Sequence, residues 1–196
     1  NISMASYGDS LLVQDAVAYA AEKQVLIVAS AGNEGYTVPA YPAAYEDVIA
    51  VGAVDAAGQH LAFSNTGESI DVVAPGLEVL AAWPGEEDTS FTGTSAAAPL
   101  VAGALGAALT ETASGQLLPL QALSILENNL NASGAPGPDP LYGGGTLDVD
   151  RMVNAYTRGR FDLAVASNWY ESPGPDEVVG TLQVTIQNQG TEPISG

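Results

Sequence analysis

The stretch SFTGTSAAAPLVAG (residues 90–103) places one serine between a Gly-Thr pair and an alanine-rich segment. Residues 94–112 stay mostly apolar, which predicts a helix inside a domain rather than on its surface. Gly93 permits a sharp turn just before this helix, as a nucleophile at a loop-to-helix junction requires. Ser95 is therefore a candidate nucleophile beside a helix N-terminus, where negative charge is favoured. Alternatively, Ser95 only caps the helix, since serine satisfies free N–H groups well.

Three short apolar runs precede this stretch, and each predicts a buried parallel strand. They are VLIVAS (25–30), DVIAVGAV (47–54) and IDVVAPG (70–76). Further helices are predicted at residues 10–24, 121–130 and 147–156 from the spacing of their apolar positions. Strands that alternate with helices favour an α/β fold with a parallel sheet.

From about residue 162 the pattern changes to alternating apolar and polar residues. DLAVASNWY and GTLQVTIQNQG show this alternation, and SPGPDE lies between them. The alternation predicts the start of an all-β, sandwich-like segment rather than more α/β structure. We therefore divide the chain into a domain over residues 1–157 and a linker with a truncated second domain over residues 158–196.

The charge balance limits the partners of the chain, because 23 acidic residues face only 4 basic ones, for a net charge of −19. Nucleic-acid binding is excluded because it needs clustered Lys and Arg. Docking on anionic lipid is disfavoured, and the apolar runs are too short to cross a bilayer, so no membrane partner is expected. The acidity suits solubility in an extracellular setting, with cation binding as the alternative. With no Cys and only His60, thiolate and multi-His metal sites are excluded.

A second candidate stretch, SAGNEG (30–35), follows the first predicted strand. The carboxyl ends of parallel strands are where sites are built. The side-chain amide of Asn33 can donate a hydrogen bond to a developing oxyanion. Alternatively, Asn33 is a turn residue that tolerates left-handed geometry.

In chain order, NISMA, AGNEG, VIAVGAV, VVAPG and GTSAAAPLVAG resemble the C-terminal half of the catalytic domain of subtilisin-like serine proteases (subtilases). The resemblance runs from Asn1 to about Ala155. It implies a partial subtilisin-like fold and a secreted endopeptidase that cleaves proteins or peptides through an acyl-enzyme. It makes Ser95 the nucleophile, with Asn33 and the Ser95 backbone N–H as oxyanion donors, and it requires no cofactor for the chemistry.

The resemblance also implies a substrate-binding pocket and a cation site. Its substrate-binding residues are Ser3, Met4 and Ala5 on one wall, Ala31 and Gly32 on the other, and Ala40 near the floor. The apolar lining suggests medium, uncharged side chains before the scissile bond, and Glu34 at the rim either favours a basic residue or is solvated.

A structural Ca²⁺ or Na⁺ would bind the carbonyls of Ala43, Tyr45 and Val48 with Asp71. Ser69 stands where the family has an acidic partner, and Asp139 and Asp148 are expected to be solvated.

Two positions depart from the family, and two triad members lie outside the resemblance. Ala96 replaces the usual methionine after the nucleophile, which predicts tolerance to peroxide, and Leu100 replaces a non-catalytic histidine.

The family's Asp and His motifs precede the matched region, and His60 is expected to be a solvated turn residue. A serine without its base is a poor nucleophile, so we expect this chain alone to be inactive. It is expected to pair with the missing N-terminal half or to self-associate across the exposed face.

Two other interpretations remain open. One is a catalytically inactive homologue that serves as a binding or structural module. The other is an adhesive surface protein, suggested only by the tail, which resembles the start of an immunoglobulin-like (CARDB-type) bacterial β domain.

Overall fold

A computed structural model of the chain describes residues 1–85, 87–110, 117–135, 139–157, 159–160, 163–171 and 180–193. The predicted turn SPGPDE and the end of the long predicted helix lie outside these residues. In chain order the elements are α1 (Leu11–Glu22), β1 (Ile27–Ser30), β2 (Val48–Val54), β3 (Val72–Pro75), β4 (Val79–Trp83), β5 (Glu87–Phe91), α2 (Thr94–Thr110), α3 (Pro119–Asn128), α4 (Val149–Val153), β6 (Leu163–Glu171) and β7 (Thr181–Asn188).

The centre of the fold is a parallel sheet in the order β1-β2-β3, as the sequence predicted. Ile27 pairs with Val48 and Val51 pairs with Val72, so the strands run in register. All seven residues of β2 are buried because the strand has a neighbour on each side and packing on both faces. This double burial explains why its sequence is a continuous apolar run without alternation.

Two cores lie on opposite faces of this sheet. On one face, Val51 and Val72 pack with Val101 of α2 and Leu126 of α3. The other face is packed by α1 and the loop before β2, which contribute Val17 and Tyr45. Helix α2 contacts all three strands of the sheet, which confirms the prediction of an internal helix. The sheet and α2 therefore form a rigid support for whatever stands at the start of α2.

Two features differ from what the sequence predicted. The hairpin of β4 and β5 has no alternating pattern and was not predicted; its Leu80 and Trp83 are exposed. Helix α1 forms as predicted, but only Val17 of its apolar face is buried. Leu11 and Leu12, at the start of α1, are 77% and 80% exposed.

The C-terminal tail forms the antiparallel pair β6–β7, as its alternating pattern predicted. Gln187 donates to the carbonyl oxygen of Leu130 at 2.8 Å, and Gln189 donates to Oδ1 of Asn131 at 3.1 Å. These bonds join the tail to the loop after α3. Among the helices that the structure describes, none is both long enough and apolar enough to span a bilayer.

Candidate active site

Ser95 lies at the first turn of α2 and its side chain is exposed, while its neighbours Thr94 and Ala96 are buried. Gly93 precedes the helix with φ +144°, a conformation that L residues rarely adopt. The Gly93 carbonyl accepts from the Ala96 N–H at 3.0 Å, so Gly93 rather than Ser95 occupies the N-cap position. Ser95 therefore does not cap the helix, and its hydroxyl has no hydrogen bond within the described part of the chain.

The carbonyl of Ser95 has an unusual partner. In a regular helix this carbonyl would accept from the N–H four residues later. That residue is Pro99, which has no N–H. The Ser3 hydroxyl donates to the Ser95 carbonyl oxygen instead, at 2.9 Å. This bond fixes the segment that contains Ser3 beside the candidate nucleophile.

Asn33 orients its side-chain amide towards the same place. Its Oδ1 accepts from the Thr94 N–H at 2.8 Å and from the Thr94 hydroxyl at 3.0 Å. The amide oxygen therefore caps the start of α2, and Nδ2 has no acceptor among the residues that the structure describes. A Cβ added to Gly93 would lie 3.3 Å from this Nδ2, so glycine also keeps the space open.

Two donors at the start of α2 have no acceptor among the residues that the structure describes. One is Nδ2 of Asn33, and the other is the Ser95 backbone N–H, which at a helix start has no intrahelical acceptor. The positive end of the α2 dipole adds to their field. An arrangement of this kind can stabilise an oxyanion on the oxygen of a carbonyl group whose carbon has bonded to Ser95 Oγ.

Two chain segments, 3–5 and 31–32, contact the start of α2 through Ser3 and Gly32, and we call the space between these segments the slot. Ile2 pairs with Ala29, and beyond that point Ser3–Ala5 and Ala31–Gly32 separate. Ala40 closes the slot by donating its N–H to the Ala31 carbonyl at 2.8 Å. Of the six residues that the sequence assigned to substrate binding, Ser3 bonds to the Ser95 carbonyl, and Ala31 and Ala40 bond to each other through their backbones. Ala31 and Ala40 are completely buried, so they shape the slot from behind, whereas Met4 is 74% exposed.

Sequence reasoning missed a hydrogen-bonded group at this slot, formed by Tyr7, Glu34 and Asn65. The Tyr7 hydroxyl donates to Oε2 of Glu34 and accepts from Nδ2 of Asn65 at 2.7 Å. The Tyr7 hydroxyl, followed by the Asn33 N–H, lowers the pKa of Glu34. Burial, followed by the bond to Glu34, raises the pKa of Tyr7. The rim carboxylate is therefore neither freely solvated nor unpaired.

Two of the four residues of the suggested cation site use the proposed ligand group in a hydrogen bond. The Tyr45 carbonyl accepts from the Val48 N–H at 3.1 Å, and Oδ2 of Asp71 accepts from the Ala50 N–H at 2.7 Å. Asp71 is exposed as a residue, yet its carboxyl group is partly withdrawn from water, which raises its pKa. Ala43 is fully buried. Within the described residues no cluster of three or more Asp, Glu or His suits a metal ion.

Three titratable residues differ from the prediction that they are simply solvated. Asp139 accepts from the N–H groups of the surrounding loop, including Leu141 at 2.7 Å. Asp148 caps α4 through the Arg151 N–H at 2.9 Å. His60 is half-buried against the ring of Tyr142, and its Nε2 has no partner among the described residues. Burial lowers the pKa of His60 although Asp139 opposes the shift.

A cavity of about 410 Å³ lies on the other side of Ser95. It is lined by β4, β5 and the first turns of α2, and the residues are Val79, Leu80, Ala81, Phe91, Thr92, Ser95, Ala96, Pro99 and Leu100. The lining contains no histidine or carboxylate. On this side of Ser95 the described residues therefore supply apolar surface and no side chain that would accept its proton.

Comparison with known proteins gives consistent results. The family model described as the subtilase family matches residues 1–145. The chain is 37% identical over 150 residues to Subtilisin BL of Lederbergia lenta, covering 76% of this chain and 54% of that protein. It is 38% identical over 144 residues to thermitase of Thermoactinomyces vulgaris, covering 74% and 47%. The chain thus spans about half the length of these curated relatives.

Solved structures of proteases show the same fold. The prenylagaramide maturation protease PagA matches with a TM-score of 0.71 at 27% identity, over 80% of this chain and 61% of that one. A lanthipeptide protease matches with a TM-score of 0.72 at 27% identity, over 79% and 60%.

Proposed function

Because the chain belongs to the subtilase family, we propose that it supplies the nucleophile and the oxyanion donors of a serine endopeptidase. Ser95 Oγ attacks the carbonyl carbon of the scissile peptide, and its proton passes to a general base. Asn33 Nδ2 and the Ser95 N–H bind the resulting oxyanion. The C–N bond then breaks, the amine leaves with the proton, and water hydrolyses the acyl-enzyme to release the acid. The observation that supports this proposal is the bond from the Thr94 N–H to Oδ1 of Asn33, because it holds the Asn33 side chain at the start of α2 and leaves Nδ2 available as a donor.

The slot beside Ser95 holds the substrate residue that precedes the scissile bond. Ser3, Met4 and Ala5 form one wall, Ala31 and Gly32 the other, and Ala40 the floor. The Ser3–Ser95 hydrogen bond supports this assignment because it fixes one wall to the nucleophile residue itself. Proteins or peptides are the substrates in this proposal.

The general base and the carboxylate that orients it come from a segment outside these 196 residues. His60 is the single histidine of the chain, and its contact with Tyr142 keeps it with the loop after β2. Exposed apolar side chains support a partner surface, and Leu11, Leu12, Leu80 and Leu100 are among them. We use "complete protease" for this chain joined to the segment that supplies the base; without that segment, a second copy would cover the same surface.

The chain alone is expected to show no turnover of chromogenic peptides, whereas the complete protease cleaves them. An unactivated serine hydroxyl at neutral pH is too weak a nucleophile. The measurement is initial rates at equal concentrations, with circular dichroism confirming that both preparations are folded. Turnover by the chain alone, abolished by Ser95→Ala, would contradict the assignment of His60. Failure of a peptidyl phosphonate to label the complete protease would favour the alternative, a non-catalytic binding module.

Three further parts of the proposal concern the setting of the protein. The protein acts outside the cell, which suits its strong acidity. Ca²⁺ or Na⁺ binds the carbonyls of Ala43, Tyr45 and Val48 with Asp71 and adds stability rather than chemistry, since oxygen ligands suit these cations. Residues 158–196 begin a CARDB-type β domain that keeps the protease near its substrate or attachment site.

The complete protease is expected to keep its activity in dilute peroxide. Ala96 is buried directly after the nucleophile and has no sulfur to oxidise. Ala96→Met is the matched variant, and it should lose activity on the same exposure because a sulfoxide there adds a polar oxygen beside Ser95. The measurement is residual peptidase activity against time. Equal, rapid losses in both proteins would indicate that another site, such as the exposed Met4, controls sensitivity.

A further inference from the structure

Tyr7 spans the slot that lies beside Ser95. It follows Ser6, whose backbone pairs with Tyr41 at the closed end of the slot. From there its side chain reaches the opposite wall, since a Cβ added to Gly32 would lie only 2.9 Å from the Tyr7 hydroxyl. The ring also packs on Tyr36, with 5.1 Å between the ring centroids. A phenol ring thus occupies space between the two walls.

The far end of Tyr7 is held by a rigid group. Asn65 is completely buried, and its Nδ2 donates both to the Tyr7 hydroxyl and to the Ala31 carbonyl, the latter at 3.0 Å. Its Oδ1 accepts from the N–H groups of Glu34 and Tyr36 at 3.1 and 2.9 Å. All the polar atoms of this amide are therefore in use, so Asn65 fixes the Tyr7 hydroxyl to the wall that contains Gly32.

The same hydroxyl also bonds one oxygen of the Glu34 carboxylate. Oε2 of Glu34 accepts from Tyr7 and from the Asn33 N–H at 2.9 Å. A lysine or arginine side chain that paired through Oε2 would have to displace the phenol, so Oε1 is the oxygen left for a cation. The arrangement works against large side chains through the bulk of the ring, and against cationic side chains because they must compete with the phenol for Oε2 of Glu34.

We propose that Tyr7, fixed by Glu34 and Asn65, is a specificity-determining residue that restricts the substrate side chain before the scissile bond to small, uncharged types. This inference rests on the proposed function of the slot. It sharpens the sequence-based expectation of medium side chains, because the sequence did not show that Tyr7 crosses from one wall to the other.

The test measures kcat/KM of the complete protease on three peptides that differ only in having Ala, Phe or Lys before the scissile bond. Wild type should prefer Ala by at least about tenfold, a typical discrimination for a pocket of fixed size. Tyr7→Ala should raise the Phe/Ala ratio by about 10- to 100-fold because it removes the ring. Tyr7→Phe keeps the ring but frees Glu34, so it should raise the Lys/Ala ratio about tenfold and leave Phe/Ala unchanged.

Tyr19→Phe is the matched control, because Tyr19 is exposed on α1 and should alter no ratio. A purely structural role of Tyr7 would change all three rates together, so the ratios decide the question. Unchanged ratios in a Tyr7→Phe variant that still hydrolyses peptides would overturn the inference alone. If wild type cleaves none of the peptides and takes no phosphonate label, the proposed function fails, and this inference fails with it.

A second measurement needs no activity. The chain is labelled with ¹³C at the ζ carbon of every tyrosine and its NMR spectrum is recorded. The signal that is missing from the spectrum of the Tyr7→Phe variant is assigned to Tyr7. That signal should titrate above the ordinary tyrosine range, and Glu34→Gln should shift its titration downwards. An ordinary titration, insensitive to Glu34→Gln, would show that the bond across the slot is absent and would also overturn the inference.

Discussion

Replacing Ser95 with alanine is expected to abolish phosphonate labelling of the complete protease and to lower kcat by about 10⁶-fold, the magnitude known for the nucleophile of subtilisin itself. The loss is large because the reaction passes through a covalent bond to Oγ, and alanine offers no atom to form it. The residual rate would come from the oxyanion donors and from substrate binding. Labelling followed by mass spectrometry, together with single-turnover rates, measures both effects.

The change should leave the fold intact. Ser95 is exposed and its hydroxyl has no partner in the described residues, so the midpoint of thermal unfolding should stay within a degree or two of wild type. Ser90→Ala, on the exposed face of β5, is the matched control and should keep both labelling and turnover. A Ser95→Ala protein that still takes one equivalent of label would show that a different nucleophile is at work.

Most of the α/β framework could be predicted from the sequence. VIAVGAV is apolar at every position, and only a strand buried on both faces fits such a run. Gly93 and the alanines after Ser95 likewise indicated a sharp turn into an internal helix. These signals are local, because backbone geometry and burial act on consecutive residues, and so one sequence is sufficient to find them.

The parts that could not be predicted depend on contacts between distant residues. The Tyr7–Glu34–Asn65 group joins three loops, and no spacing in the sequence marks it. The bond from Ser3 to the Ser95 carbonyl arises only because Pro99 lacks an N–H and the two segments meet in space. His60 and Asp139 were expected to be solvated because polar turns are usually exposed, and the loop that contains Tyr142 changes that environment.

The proposed function gives Asn33 two roles that a single substitution can separate. Its Oδ1 caps α2 through the Thr94 N–H, and its Nδ2 is the free donor beside Ser95. Asn33→Ala removes both, so it should lower kcat and also lose about 1 kcal/mol of stability, as the loss of a helix cap does. A stability loss alone would explain part of any fall in activity, and this variant by itself leaves the two roles mixed.

Asn33→Asp keeps an oxygen for the Thr94 N–H and replaces only the donor. A carboxylate at a helix N-terminus is favourable, so the unfolding free energy should stay level or rise slightly. The kcat of the complete protease should nevertheless fall by at least about 10²-fold, since loss of the oxyanion asparagine costs 10²–10³ in subtilisin itself and a negative charge now faces the oxyanion. KM should change little, because the lost bond forms only as charge develops in the transition state. A kcat close to wild type in this equally stable variant would contradict the oxyanion role of Asn33 and leave it as a helix cap alone.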